Sequence, residues 1–131
     1  MKAICPHLFV YGTLLDSGNS YGAYLRQHCT LLQPGKFRGK LYDIGEYPGA
    51  IADENNDQYI YGSIYLMDEP EKILTIIDDY EGFGQDQDQP NLFTRVMVSV
   101  ETTGDPIECW VYVYNLPVDG LLLIKSGKYK F

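Results

Sequence analysis

Residues 58–67 alternate as few stretches do: Ile60, Gly62, Ile64 and Leu66 fall on one side, and Tyr59, Tyr61, Ser63 and Tyr65 on the other. A period of two is the signature of an extended strand with two unlike faces. The same period recurs twice. Phe93, Arg95, Met97, Ser99 and Glu101 oppose Thr94, Val96, Val98 and Val100. Cys109, Val111 and Val113 oppose Trp110, Tyr112 and Tyr114. The turn Thr103-Gly104-Asp105-Pro106 joins these two runs, which predicts an antiparallel hairpin. The aromatic face of the second run reads as core or a dimer contact rather than a cofactor platform.

Further strands are expected at His7–Tyr11, at Phe37–Ile44 and, more briefly, at Ala50–Ala52. Pro34-Gly35 is expected to punctuate the chain, and Asp53–Asp57 to form a hairpin turn. Helical spacing is weak through Tyr21, Tyr24, Leu25 and His28, with His28 at the surface. It is strong through Ile73, Ile76, Ile77 and Tyr80, an apolar stripe at i, i+3, i+4 and i+7. Asp68 with Glu71 has capping-box spacing, Pro70 suits a first turn, and Gly82 suits a helix stop. Gly84–Asn91 reads as a polar, mobile rim in which Asp86 and Asp88 lack the glycine and glutamate of a calcium loop. The tail after Leu121 has apolar residues to dock but no clear period. Five or six strands with one good helix predict an α+β fold: a small, mixed, mostly antiparallel β-barrel with flanking helices, formed by residues 1–131 as one domain.

A formal charge of −8 on 131 residues repels polyanions, which argues against nucleic acid and anionic lipid as partners. No apolar run reaches the length of a membrane span, and the N-terminus, broken by Pro6, lacks a signal-peptide hydrophobic region. The expected location is cytoplasmic. Cys5, Cys29 and Cys109 are an odd number without a Cys-x-x-Cys pair, so reduced thiols are expected, with Cys29 and Cys109 as small core residues. Zinc at Cys5, His7, His28 and Cys29 matches no ligand spacing, and no metal site is assigned.

Two stretches suggest chemistry. Val10-Tyr11-Gly12-Thr13-Leu14 is a strand halted by glycine, where a sharp turn presents backbone N–H groups to an anion. Ile76-Ile77-Asp78-Asp79-Tyr80-Glu81 ends a helix on a carboxylate. There the negative end of the helix macrodipole and Asp78 one turn back both disfavour ionisation, as suits a general acid/base near neutral pH.

These motifs, with Gly39-Lys40-Leu41-Tyr42-Asp43, Tyr47-Pro48-Gly49, Ile60-Tyr61-Gly62-Ser63-Ile64-Tyr65, Phe93-Thr94-Arg95 and Trp110-Val111-Tyr112-Val113-Tyr114, resemble the gamma-glutamylcyclotransferase-like superfamily. The likeness is strongest to its gamma-glutamylaminecyclotransferase branch and bacterial relatives. The resemblance implies a small mixed barrel that releases 5-oxoproline from a gamma-glutamyl amine, amino acid or isopeptide without metal or cofactor. It implies Glu81 as acid/base and Tyr11, Gly12, Thr13 and Leu14 as the cradle for the glutamyl head group. Phe93 stands where many relatives carry tyrosine, and Ser126-Gly127-Lys128-Tyr129 follows the family ending loosely. The alternatives are a non-catalytic small-molecule binding module on this fold, or a different amide or acyl-transfer reaction in the same pocket. A monomer or weak homodimer is expected. Arg95 is expected to pair with an acid such as Glu101 or Asp79.

Overall fold

Leu8 and Phe9 point to opposite faces of a four-residue strand, and both are buried. That fact sets the architecture, because a strand buried on both faces needs two cores. In the computed structural model, which describes residues 4–11, 20–44, 48–81, 83–85 and 89–128 (20–22, 80 and 81 as backbone), the strands form one wall between them. The elements are β1 (His7–Val10), α1 (Ser20–His28), β2 (Cys29–Asp43), β3 (Pro48–Ala52), β4 (Tyr59–Met67), α2 (Pro70–Glu81), β5 (Phe93–Val100), β6 (Ile107–Tyr114) and β7 (Leu122–Leu123).

The strand order is β3-β2-β4-β1-β6-β5, with β7 beside β2. All pairings are antiparallel except β1 with β6, which meet in parallel at Leu8 and Trp110. The sheet curls until Lys36 of β2 meets Glu101 just beyond β5. Their backbones exchange hydrogen bonds of 3.1 and 2.8 Å and nearly close a barrel. Inside lie Phe9, Phe37, Leu41, Ile60, Ile64, Val100, Cys109 and Val111. Fully burying a large apolar side chain of this kind contributes about 1.5–3 kcal/mol. Outside, Leu8, Met67, Phe93 and Tyr112 pack under Leu25 of α1 and Ile73, Leu74 and Ile77 of α2. The predicted mixed, mostly antiparallel barrel with flanking helices is the observed fold. No helix among the described residues is long and apolar enough to cross a membrane.

The alternation read in the sequence holds in β6 and in β4 as far as Ile64, beyond which Leu66 is exposed and Met67 buried; several other local expectations do not hold. Pro34-Gly35 does not break the chain: both lie within the 15-residue β2. A bulge between Leu31 and Gln33 precedes them, and bulges are where a strand tolerates proline. Gly35 lies where Val100 crosses closest; a Cβ there would sit 2.5 Å from the valine Cγ1. Asp53–Asp57 is not a hairpin turn, because β3 and β4 each pair with β2, which lies between them. The α2 stripe is Ile73, Leu74 and Ile77, with Ile76 only half-buried. The helix is rotated to seat Leu74 on the sheet. The tail does acquire order: β7 pairs with Tyr42 and Asp43, Ile124 packs on the interior, and the Gly127 carbonyl accepts the Tyr61 N–H at 2.9 Å.

His28 is less exposed than expected. Its Nδ1 lies 3.0 Å from Asp68 Oδ2 and its ring 4.5 Å from that of Tyr24. Asp68 is thus engaged with α1, while Pro70 opens α2 as its first residue. Cys109 is fully buried as expected, whereas Cys29 is half-buried.

Candidate active site

The last turn of α2 is built to be held in place. Leu74 and Ile77 face the sheet, and the helical period then brings Asp78 to the same side while Asp79 is exposed. A carboxylate beneath a helix needs partners, because burying it alone is costly. Residues 95 and 112 face each other across β5 and β6, and both reach up to it. Arg95 donates through Nε to Asp78 Oδ1 at 2.8 Å and through a terminal nitrogen to Oδ2 at 3.1 Å. Both side chains are 20% exposed. The Tyr112 hydroxyl donates to Asp78 Oδ1 at 2.6 Å and lies 3.4 Å from the Leu74 carbonyl oxygen. The acid that pairs with Arg95 is therefore Asp78, not Glu101 or Asp79.

Aromatic rings complete the support. The Arg95 guanidinium carbon lies 4.5 Å from the ring centre of Trp110 and 5.9 Å from that of Phe83. A planar cation over a ring face is favourable, and more so when shielded from water. The backbone is fixed as well. The Phe83 N–H reaches back to the Asp78 carbonyl at 2.9 Å, the six-residue closure of a Schellman ending. Gly82, the expected stop, lies outside the described residues. Glu81 is the final residue of α2, one turn beyond Asp78; its side chain also lies outside the described set.

The other stretch meets this one through β6. The Tyr11 hydroxyl donates to the Tyr112 carbonyl oxygen at 2.5 Å and accepts the Ala50 N–H at 3.2 Å. It therefore bolts the end of β1 to β3 and β6, a structural use the sequence reading did not give it. Gly12, Thr13 and Leu14 lie outside the described residues. Tyr112, missed as a site residue, touches both stretches: its backbone holds Tyr11 and its side chain holds Asp78. The signal was present at Asp78, a charged group beside the apolar stripe of Ile73, Leu74 and Ile77.

The electrostatics differ from the sequence argument in one respect. Asp78 was expected to press on Glu81 with its negative charge. The Arg95 guanidinium offsets that charge at contact distance. On the far side, Asn91 pins the segment expected to be a mobile rim. Its side chain accepts the Gly84 N–H at 3.2 Å and donates to the Gly84 carbonyl at 3.0 Å, and the Asn91 carbonyl accepts from Asn115 at 2.9 Å. Asp86 and Asp88 lie outside the described residues. Among the described residues, no group of three or more His, Cys, Asp or Glu side chains is placed to hold a metal ion.

A family model described as gamma-glutamyl cyclotransferase, AIG2-like, matches residues 8–131. The gamma-L-glutamyl-butirosin B gamma-glutamyl cyclotransferase of Niallia circulans is 34% identical over 115 residues, which cover 87% of this chain and 70% of that one. The solution structure of protein ytfP from Escherichia coli superposes with a TM-score of 0.67 at 30% identity, covering 94% of this chain and 95% of that one. The crystal structure of an AIG2-like protein from Mus musculus gives a TM-score of 0.72 at 25% identity, covering 95% and 88%.

Proposed function

This chain belongs to the gamma-glutamyl cyclotransferase, AIG2-like family, and from that premise we propose that it releases 5-oxoproline from a gamma-glutamyl compound, with Glu81 as general acid/base. The alpha-amine of the glutamyl group attacks its own gamma-carbonyl carbon and closes a five-membered ring. The C–N bond to the leaving amine then breaks. Glu81 takes the proton that the attacking nitrogen loses and returns it to the departing nitrogen. The nucleophile belongs to the substrate, so the protein's task is alignment and proton transfer. Alignment can contribute several kcal/mol, and a positioned carboxyl roughly 10²–10⁴ in rate. The turn at Tyr11, Gly12, Thr13 and Leu14 is assigned to the glutamyl head group, with backbone N–H groups stabilising its carboxylate or the developing oxyanion.

The observation that carries this reading is Tyr112, whose hydrogen bonds link the strand end at Tyr11 to the α2 turn before Glu81. The two stretches that the chemistry needs thus share one residue of β6. A cytoplasmic, small-molecule role fits the acidic composition.

The test is incubation with gamma-glutamyl amines, amino acids and isopeptides, measuring 5-oxoproline. The panel includes gamma-L-glutamyl-butirosin B, for which the Niallia circulans relative is named. Wild type is expected to release 5-oxoproline from at least one substrate, and Glu81→Gln to lose at least about 100-fold in kcat. An inactive wild type that still binds these compounds would instead identify a binding module.

A further inference from the structure

We propose that Tyr112 is a positioning residue of this cyclisation, setting the distance between the base on α2 and the turn that holds the glutamyl group. The inference rests on the activity proposed above and adds a determinant of its rate. Tyr112 is 5% exposed and packs in the core between the sheet and the helices. Its carbonyl oxygen faces β1 and accepts from Tyr11; its hydroxyl lies on the helix side and donates to Asp78. One residue thus fastens both halves of the site. Among the described residues the other side-chain anchor of Asp78 is Arg95, which comes from β5.

The two bonds of Tyr112 have separable consequences. Replacing its hydroxyl leaves the backbone carbonyl, and hence the Tyr11 anchor, in place. What is lost is one of the two described side-chain anchors of Asp78, with the Arg95 pair still in place. Loss of the hydroxyl should therefore affect the proton-transfer step more than substrate capture. Loss of the Tyr11 hydroxyl should do the reverse, because it frees the turn that grips the head group. A shift of the base by about 1 Å is enough to cost up to 10²-fold in rate.

Tyr112→Phe is expected to lower kcat about 10-fold or more while KM stays within about threefold, and Tyr11→Phe to raise KM more than it lowers kcat. Asp78→Asn keeps an oxygen to accept from Tyr112, so its kcat should exceed that of Asp78→Ala. Adding Tyr112→Phe to Asp78→Ala should cost little more than Asp78→Ala alone, since both cut one link. Thermal melts identify any variant that fails to fold, and the Asp78 pair then carries the test. If wild type is active and Glu81→Gln is not, but Tyr112→Phe keeps wild-type kcat or loses kcat and KM alike, the positioning role is wrong and the reaction stands. If wild type releases no 5-oxoproline from any substrate, the reaction itself is wrong, and this role with it.

Discussion

Arg95 grips Asp78 with two nearly parallel hydrogen bonds, 2.8 and 3.1 Å long, across the junction between β5 and the last turn of α2. The fork of the guanidinium matches the carboxylate edge, and the Trp110 ring beneath keeps the fork in plane. Removing the cation leaves a mostly buried negative charge with Tyr112 as its remaining described partner. Arg95→Leu is therefore expected to cost about 3 kcal/mol, visible as a Tm lower by roughly 10 °C. Arg95→Lys should recover only part of the loss, because an ammonium cannot make the planar pair. An unchanged Tm in Arg95→Leu would show that the pair is worth no more than an exposed one.

Gly127 takes a left-handed backbone, with φ of 71°, and an added Cβ would run into the carbonyl oxygen of Tyr59. Gly120 is also left-handed, with φ of 82°, but an added Cβ meets nothing within 4 Å. The two positions separate backbone preference from crowding. Gly120→Ala is expected to cost about 1 kcal/mol and Gly127→Ala at least about 2 kcal/mol more. In Gly127→Ala the Tyr61 amide, which donates to the residue 127 carbonyl, should also exchange faster with solvent deuterium.

Asn91 is 9% exposed and clips both backbone groups of Gly84. Asn91→Ala leaves the Gly84 N–H without that acceptor, a loss of about 2 kcal/mol in urea unfolding. Limited proteolysis should then cut between residues 84 and 91 faster than in wild type. A loop that stays equally resistant would mean that Gln89, whose amide also reaches the Gly84 carbonyl at 2.9 Å, holds it alone.

Burial pushes the Cys109 thiol up to about 12 and the Cys29 thiol up to about 11, with the negative charge of Asp68 adding to the effect on Cys29. In the unfolded chain a thiol ionises near about 8.5. Above that pH the unfolded state releases protons that the folded state keeps, so stability falls as pH rises through this window. Each of the two thiols contributes a slope that approaches about 1.4 kcal/mol per pH unit, and Cys109→Ala should remove its own share while that of Cys29 remains. Urea midpoints at pH 8, 9 and 10 measure it. At pH 8 iodoacetamide should reach Cys5 well before Cys109 in the native protein, and all three thiols once it is unfolded.

How much of this was legible beforehand follows from range. Alternation is local, so the faces of β4 and β6 could be read directly from residues 59–65 and 109–114. The partner of Arg95 could not, because it depends on how α2 is rotated over the sheet. The Ile76-Ile77-Asp78-Asp79 run offered two acids, and the packing of Leu74 decided between them. Pro34-Gly35 misled for a related reason. Both residues ordinarily interrupt a strand, but the first lies on the stretch of β2 that β3 does not cover, and the approach of Val100 requires the second. The family resemblance supplied Glu81 and the Tyr11–Leu14 turn as candidates. Tyr112 escaped notice because its two roles belong to different atoms, a backbone carbonyl and a phenol.

The pairing of Lys36 with Glu101 makes the cylinder a loop of cloth fastened by a single clasp. Among the described residues, that seam rests on two backbone bonds, whereas β2 and β4 run side by side along most of their length. Thermal breathing should therefore open that seam before β2 parts from β4, unrolling the wall toward a flat sheet. The first apolar surface to meet water would be that of Val100 and its neighbours, far from the helix-capped side.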